Sequence, residues 1–364
     1  MKKTSFTLPT ENDPVFIIAE IGKNFIETED ERPQEEYLEN AKELIRLAYE
    51  SGADAVKFQT HEVEDEQLPV HIVAPHFKGA DRHAWVTRNT KITPTSFFKE
   101  LKEYAEQLGI IFFSTPMSRK AAEKLDSLGM PLWKIGSGDI HDHVLLDFVA
   151  KTGLPSIIST GMTSVEELDR TVSYLQDNKI STAVLYCVSQ YPAPKEAFNL
   201  STITRFKNRY PHATIGFSDH SHGNEVALVA VKLGARIIEK HFSRDRELWG
   251  SDHKTSLIPE EFADMVRLIR AGEYQDVDAT PYLGDTKREL EGATSEFRPY
   301  FNKTLVAGHD LPKGHVITMD DIYAMRPRMA GGEFDSHQTD ELIGKKLSSA
   351  LKKYDAFATT HLRQ

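Results

Sequence analysis

Short apolar runs alternate with segments of helical periodicity from residue 15 to about residue 270, and this alternation predicts the fold. The runs are brief, often β-branched and bounded by turn residues, which is typical of buried strands. The predicted strands are Val15–Glu20, Ala55–Gln59, Ile110–Ser114, Leu132–Ile135, Ser156–Ser159, Thr182–Val188, Ile215–His220 and Ile237–His241. The predicted helices are Gln34–Ser51, Pro94–Leu108, Ser118–Leu128, His143–Lys151, Ser164–Asp177, Leu200–Arg209, Asn224–Leu233 and Pro259–Arg270, with Ser118 as an N-cap.

This count of strand–helix units favours one architecture within the α/β class. Eight units in about 255 residues predict a (β/α)8 (TIM) barrel rather than an open doubly wound sheet. Gly22-Lys23-Asn24, after the first strand, lacks the spacing of a dinucleotide-binding fingerprint. One connection, residues 60–93, is unusually long and contains His61, His71, His76, His83 and Trp85. Because it follows a strand, we expect this loop on the active face of the barrel.

The pattern changes after Gly272, and we predict three regions. Residues 1–275 form the barrel, the polar residues 276–302 form a linker, and residues 303–364 form a small β-rich domain. That domain has predicted strands at Thr304–Ala307, Val316–Thr318 and Asp320–Met325. About 60 residues make a marginal core, so we expect the domain to pack against the barrel or against a partner chain.

Composition and charge narrow the classes of function. The chain has 364 residues and a formal net charge of −11, which argues against general binding of nucleic acid or of anionic membranes. A local cationic pocket remains compatible with this charge. The single cysteine, Cys187, excludes an internal disulfide and is interpreted as a small buried residue. Runs of signal-peptide or transmembrane length are absent from the sequence, so a cytoplasmic protein is the expectation.

Two of the predicted strands end in histidines, His220 and His241. A predicted helix lies between these strands, so we expect them to be parallel neighbours whose histidines leave the same edge of the sheet. Two imidazoles with carboxylates close by can hold a divalent metal and leave coordination positions open. Two core histidines bonded to the backbone would give the same sequence pattern, and the residues alone leave both interpretations open.

Polar or ionisable groups end nearly every predicted strand, where a barrel has its active site. Lys57 and Lys134 interrupt otherwise apolar runs, and a buried lysine requires an anion. A barrel carboxylate or an anionic substrate would each meet that requirement. The small residues of Gly136-Ser137-Gly138 and Ser159-Thr160-Gly161 let backbone N–H groups approach a phosphate or a carboxylate. Together these features predict a phosphate-bearing acid as a substrate.

Motifs in a fixed order at the strand ends connect this chain to a known family. They are Ala19–Gly22, Val56–Thr60, Ser114–Pro116, Trp133–Asp139, Ser159–Met162, Tyr191–Pro194, Gly216–His220 and Glu239–Phe242. The chain resembles the sialic acid (N-acetylneuraminate) synthases, which condense phosphoenolpyruvate with an N-acylated hexosamine to make nonulosonic acids. The C-terminal region is similar to the antifreeze-like (SAF, β-clip) domain of these enzymes through Asp310–Thr318 and Met325-Arg326-Pro327. The resemblance covers nearly the whole chain.

The resemblance implies a role for each of these residues. It makes His220 and His241 the ligands of Mn²⁺ or Mg²⁺. The residues that hold phosphoenolpyruvate would be Lys57, Thr115, Lys134, Ser137, Ser159 and Ser218, and the catalytic groups Glu20, Gln59, Lys57, Lys134, Asp139 and Glu239. The sugar would contact Ser189, Tyr191, Asp252 and Arg326. The resemblance also implies a domain-swapped homodimer, in which Arg326 reaches the sugar's acyl group in the active site of the other chain.

The chain departs from the family pattern at positions that bear on sugar specificity more than on the reaction. Asp139 stands where a glutamate is common, Phe25 replaces a histidine, and Ser189 replaces an asparagine found in some members. Residues 328–332 replace a Gly-x-Gly pattern after Arg326-Pro327. N-acetylmannosamine, its 6-phosphate and diacetamido sugars are therefore all open as acceptors.

The predicted reaction is a metal-assisted, aldol-type condensation by a phosphoenolpyruvate-dependent transferase, with Glu20 or Glu239 assisting the water that adds. The first alternative is a synthase of 3-deoxy sugar acids that uses a sugar phosphate. Arg82 and Arg88 in the long loop are candidate ligands for that phosphate. The second alternative, a non-catalytic carbohydrate-binding barrel, would lack the lysines and histidines that this chain has.

Overall fold

A computed structural model of the chain describes residues 6–74, 81–190, 193–285 and 290–363 and confirms the predicted barrel. Its eight parallel strands are Phe16–Gly22 (β1), Ala55–Thr60 (β2), Ile111–Pro116 (β3), Trp133–Ile135 (β4), Ser156–Ser159 (β5), Thr182–Cys187 (β6), Thr214–Asp219 (β7) and Ile237–His241 (β8). They are hydrogen-bonded in the order β3-β2-β1-β8-β7-β6-β5-β4, which makes a nearly closed barrel. All the strand ends that carry polar groups therefore meet at one face.

Among the described residues, eight helices cover the outside of the barrel close to their predicted bounds, and three further helices lie in connecting segments. They are Gln34–Glu50 (α1), Val63–Glu66 (α2), Arg82–Ile92 (α3), Thr95–Leu108 (α4), Arg119–Asp126 (α5), His143–Thr152 (α6), Val165–Asp177 (α7), Ser201–Arg209 (α8), Glu225–Lys232 (α9), Pro259–Ala271 (α10) and Arg298–Phe301 (α11). The Ser118 hydroxyl accepts a hydrogen bond from the Ala121 backbone at 3.3 Å, as an N-cap does. In α1 the buried residues Tyr37, Ala41, Leu44, Ile45 and Ala48 share one face.

The long connection between β2 and α4 contains two helices, α2 and α3, that the sequence pattern does not predict. Helix α3 begins after Asp81, whose side chain accepts a hydrogen bond from the Ala84 backbone at 3.0 Å. Its buried residues include the polar Arg82 and Asn89, so apolar residues do not recur at helical spacing. His76 lies outside the described residues.

The C-terminal residues form a small unit with its own core. Its hairpin pairs Thr304–Ala307 (β9) with Ile322–Met325 (β10) in antiparallel register. The predicted strand Val316–Thr318 is absent, and Val316 forms only an isolated bridge to Lys346. The Thr318 backbone instead donates to Asp321 at 2.7 Å and starts a 3-10 turn. The antifreeze-like assignment and the boundaries of the three regions stay predictions.

This C-terminal unit packs against the barrel of its own chain. The Arg326 backbone donates to the Glu66 carbonyl and the Leu68 backbone donates to the Arg326 carbonyl, each at 2.8 Å. The Lys303 ammonium is buried between Asp139 and Asp142 of the barrel, at 2.8 and 2.7 Å. These contacts hold the C-terminal unit beside the carboxyl ends of the strands.

Within the described residues, none of the helices combines the length and the apolar content that crossing a membrane requires.

Candidate active site

A cavity of about 200 Å³ lies at the carboxyl ends of the strands and has two distinct walls. The floor comes from the strand ends: Glu20, Lys57, Gln59, Thr115, Lys134, Ser159, Ser218, Glu239 and His241, with His220 just beyond β7. The roof comes from connections and from the C-terminal unit: Lys23, Arg82, Trp85, Phe297, Phe301 and Arg326. Because side chains alternate along a strand, Glu239 and His241 face the cavity while Lys240 between them faces outward.

The cavity brings together almost all the residues that the sequence singles out. The remaining predicted residues along its lining are Ser137, Asp139 and Asp252. Ser189 is not among the lining residues, because it is buried behind Gly161. A β-carbon added to Gly161 would lie 2.1 Å from the Ser189 hydroxyl. Tyr191 lies outside the described residues, so the sugar-binding roles of Ser189 and Tyr191 stay predictions.

The two lysines of the floor pair with carboxylates of the barrel itself. The Lys57 ammonium lies 2.6 Å from Glu20 and 3.6 Å from Glu239. The Lys134 ammonium donates to the Ser159 hydroxyl at 2.6 Å and lies 3.7 Å from Glu239. The barrel carboxylates thus meet the requirement for an anion, and the same lysines also border the cavity where a substrate anion would enter.

The floor carboxylates Glu20 and Glu239 have different pKa values because their surroundings differ. Burial raises the pKa of Glu20 to about 7, although Lys57 beside it acts in the opposite direction. Burial also disfavours ionised Glu239, but Lys134 and Lys57 outweigh it and hold the pKa of Glu239 at about 2. A pair whose pKa values are separated in this way can divide acid–base roles. Glu20 is suited to move a proton near neutral pH, and Glu239 stays an anion.

The two histidine rings are neighbours, with centroids 5.3 Å apart. The His220 Nδ1 lies 2.9 Å from the Val188 carbonyl. Since a carbonyl only accepts, this contact assigns the proton to Nδ1 and leaves Nε2 able to bind a metal. Burial lowers the pKa of His241, which favours the neutral ring that a metal requires.

A buried ion pair fixes the strands that carry these histidines. On the outer side of β7 and β8, the Lys240 ammonium lies 2.7 Å from the Asp219 carboxylate and 2.7 Å from the Ser221 carbonyl. Both side chains of the pair are fully buried. The pair therefore ties the two strand ends together directly behind the histidines.

The imidazoles of His220 and His241 fit a divalent cation whose remaining ligands come from water or substrate. Among the residues that the structure describes, no cluster of three or more histidine, cysteine, aspartate or glutamate side chains is arranged to hold a metal. Two imidazoles would leave the remaining positions to water or substrate oxygens, as in a catalytic rather than a structural site.

Arg326 lines the cavity of its own chain. The expectation that it reaches the active site of the other chain in a domain-swapped homodimer stays a prediction. The Arg326 guanidinium donates a short hydrogen bond to Asp139. Because its backbone is bonded to Glu66 and Leu68, the C-terminal unit delivers Arg326 to the roof of its own barrel. Asp139 is shared between Arg326 and Lys303, so it anchors the roof, and its predicted catalytic role stays a prediction.

The roof contains cations that the strand pattern does not locate. The Arg82 guanidinium lies 4.8 Å from the ring centre of Phe301 and lines the cavity, whereas Arg88 donates to the Glu29 carbonyl at 2.7 Å, away from the cavity. Lys23 donates to the Gln59 carbonyl at 2.6 Å. Burial lowers the pKa of Lys23 to about 7. Lys23 is not among the predicted cavity residues, and its position directly after the first buried strand is the one signal that could have identified it.

Sequence comparison places this site among enzymes that make sugar acids. A profile of the NeuB family matches residues 44–279. The chain is 32% identical over 348 residues to the N-acetylneuraminate-9-phosphate synthase of Homo sapiens, which covers 94% of this chain and 91% of that protein. It is also 32% identical over 348 residues to a pseudaminic acid synthase of Campylobacter jejuni, covering 94% and 95% of the two chains.

Structural comparison shows that the fold matches a solved structure over the whole length of the chain. The crystal structure of the spore coat polysaccharide biosynthesis protein SpsE from Bacillus subtilis superimposes with a TM-score of 0.79 at 28% identity. The match covers 100% of this chain and 99% of that chain. The barrel and the C-terminal unit therefore occur together in a solved structure.

Proposed function

Because this chain belongs to the NeuB family, we propose that it condenses phosphoenolpyruvate with an N-acylated hexosamine, releases phosphate and makes a nonulosonic acid. Relatives named as N-acetylneuraminate-9-phosphate, pseudaminic acid and legionaminic acid synthases support a sugar acid as the product. The observation that carries the proposal is the floor of the cavity. It combines two buried lysines, two carboxylates with separated pKa values and two adjacent imidazoles.

The floor lysines would hold phosphoenolpyruvate. Lys57 lies 3.2 Å from the Thr115 hydroxyl and Lys134 lies 2.6 Å from the Ser159 hydroxyl, so each cation has a hydroxyl beside it. Charge-assisted hydrogen bonds from such groups are shorter and stronger than neutral ones, especially where water is excluded. The Ser137 hydroxyl, which accepts from the Gly161 backbone at 3.0 Å, and Ser218 complete the proposed set.

His220 and His241 would hold Mn²⁺ or Mg²⁺. When bound there, the ion would supply Lewis-acid polarisation of the carbonyl group of the acceptor. The neutral rings and the proton on Nδ1 of His220 are what this chain contributes to that site.

Glu20 and Glu239 would divide the remaining work. In the proposed reaction a C–C bond forms between the enol carbon of phosphoenolpyruvate and the acceptor carbonyl carbon. Water then adds to the carbon that bears phosphate, and the C–O bond to phosphate breaks. Glu20, with a pKa near neutrality, would take the proton from that water. The ionised Glu239 would favour the charged forms of Lys57 and Lys134. We retain a cytoplasmic, domain-swapped homodimer, in which Arg326 of one chain reaches the sugar bound by the other, as part of the proposal.

The test is phosphate release from phosphoenolpyruvate with Mn²⁺, across a panel of N-acylated amino sugars, with and without EDTA. We expect release that depends on one acceptor, that EDTA abolishes, and that His220→Ala reduces to background. His212→Ala, which changes an exposed histidine outside the cavity, is the matched control and should keep full activity. Wild-type turnover by His220→Ala would refute the metal role. Release only with arabinose 5-phosphate would move the chain to the 3-deoxy sugar acid synthases.

A further inference from the structure

The roof contains a buried arginine that no carboxylate of the described residues pairs with. Arg82 is only 8% exposed, and its Nε lacks a hydrogen-bond partner among the residues that the structure describes. Across those residues, none of the carboxylates lies within salt-bridge distance of its guanidinium, in contrast to Arg326 and Lys303 nearby. A buried guanidinium with unsatisfied donors is costly, so its position beside a cavity is informative.

The acidic groups that face Arg82 act on it only at a distance or are engaged elsewhere. The Glu66 carboxylate accepts from His61 at 2.7 Å, and Asp139 is bound by Lys303 and Arg326. Asp252 completes the set of acidic groups around Arg82, and Arg326 adds a like charge. Lys23, also in the roof, donates to the backbone carbonyl of Gln59, and no carboxylate of the described residues lies within salt-bridge distance of its ammonium. Within the described part of the chain, the roof therefore has two basic groups, Arg82 and Lys23, that no carboxylate contacts directly.

Phe301 holds the Arg82 guanidinium in place. The ring centre of Phe301 lies 4.8 Å from the Arg82 guanidinium and 5.8 Å from the Arg326 guanidinium. Stacking on an aromatic face orients an arginine while leaving its in-plane N–H groups to bind. A planar fork of N–H donors at the edge of a cavity matches the oxygens of a phosphate or a carboxylate.

We assign Arg82 an anion other than phosphoenolpyruvate, because the proposed phosphoenolpyruvate site, which Lys57 and Lys134 form with the hydroxyls beside them, lies on the floor and Arg82 lies in the roof. We propose that the acceptor sugar carries an anionic group, a phosphate or a carboxylate, at the end away from its reacting carbonyl, and that Arg82 and Lys23 bind this group. The inference rests on the proposed function, since it assigns the acceptor of the same reaction. It follows from the division of the cavity, with the reacting groups on the floor and the unneutralised cations in the roof.

Three acceptors that differ only at one end test the inference. They are N-acetylmannosamine, its 6-phosphate and its 6-carboxylate, the uronic acid, each assayed for phosphate release from phosphoenolpyruvate with Mn²⁺. We expect kcat/KM for one of the charged acceptors to exceed that for the neutral sugar by about tenfold or more. Which charged acceptor is preferred identifies the anion as a phosphate or a carboxylate.

Variants of the roof connect this preference to Arg82. Arg82→Gln should lower kcat/KM for the charged acceptor by about ten- to a hundredfold, mainly through KM, and much less for the neutral sugar. Lys23→Met should act in the same direction and replaces Arg82→Gln if that variant does not fold. Arg88→Gln, on the same helix but outside the cavity, is the control and should keep the preference.

The outcomes separate the two proposals. The inference is wrong if kcat/KM is highest for the neutral sugar. It is also wrong if Arg82→Gln and Lys23→Met lower kcat/KM equally for all three acceptors. Either result leaves the proposed function standing. Phosphate release with none of the amino sugars overturns both.

Discussion

Two buried glutamates show how much a residue's surroundings decide its chemistry. Glu20 and Glu239 both contact Lys57, but only Glu239 also lies near Lys134. The second cation is the difference that keeps Glu239 ionised while burial raises the pKa of Glu20. The sequence places both residues at strand ends, but it does not show how the lysines are shared, because those distances depend on the closure of the barrel.

At this scale we predict a pH dependence. If Glu20 accepts the proton from water, kcat/KM should rise with pH through about 7, since the group must be deprotonated to act as a base. Glu20→Gln should lower kcat by about 10²- to 10⁴-fold and remove this rising limb. The measurement is the pH profile of phosphate release for both proteins. Glu29→Gln, at an exposed position, is the control. A rising limb that persists in Glu20→Gln would assign the proton to another group.

At the scale of helices and strands, the periodicity of apolar residues determines which elements can be predicted from the sequence. The outer helices bury one face and leave one exposed, whereas the barrel strands are short runs buried on both faces. Both patterns are visible in the sequence, so the bounds of these elements follow from it to within about two residues. Helix α3 buries polar side chains and shows no such pattern, so the roof remains unpredicted. The position of Arg82 in the long loop makes it a candidate site residue from sequence alone. Its contact with Phe301 of α11 is not predictable, because the two residues are far apart in the chain and sequence periodicity relates only near neighbours.

Glu167 joins two elements and offers a test at this scale. Its carboxylate accepts from the Ser164 backbone at 2.7 Å in the capping box of α7 and pairs with Arg298 of α11 at 2.6 Å. Burial disfavours the ionised form, but Arg298 and His141 outweigh it and hold the pKa of Glu167 well below its usual range. A lowered pKa stabilises the fold above the unfolded-state pKa, and this contribution is lost as pH falls.

We expect Glu167→Gln to lower the free energy of unfolding by about 1–3 kcal/mol at pH 7. The difference from wild type should shrink below about pH 4, where the unfolded-state carboxyl is protonated. Urea unfolding at several pH values measures both effects. Glu166→Gln, the exposed neighbour in the same turn, should cost less. An equal loss in the two variants would mean that the helix dipole, not the bond to Arg298, explains the effect.

Across the whole molecule, the C-terminal unit depends on one buried lysine for much of its attachment to the barrel. Lys303 is fully buried between Asp139 and Asp142 and also donates to the Met117 carbonyl at 2.6 Å. Packing of this unit onto a barrel is predictable, because so short a segment has too small a core. Which barrel it covers is not predictable from sequence, since that depends on the path of residues 276–302 in space.

Lys303→Met should therefore destabilise the molecule by about 3–5 kcal/mol, because it leaves Asp142 buried without its cation and leaves Asp139 paired with Arg326 alone. We expect a lower melting temperature and faster proteolytic cleavage within residues 276–302. Lys345→Met, which changes an exposed lysine of the same unit, serves as the comparison and should behave like wild type. Unchanged proteolysis in Lys303→Met would show that the hydrogen bonds of Arg326 suffice to hold the unit.

The Lys240–Asp219 pair ties the histidine-bearing strand ends into a fixed floor, whereas the roof is assembled from connecting segments. Connections tolerate substitution and insertion far better than barrel strands do. Descendants of this chain could therefore alter the roof alone, and with it the proposed acceptor, while the floor residues, where phosphoenolpyruvate is proposed to bind, keep their places. The sequence of the roof would then diverge faster than that of the floor. Related enzymes would differ first in the acceptor they bind and last in the reaction they catalyse.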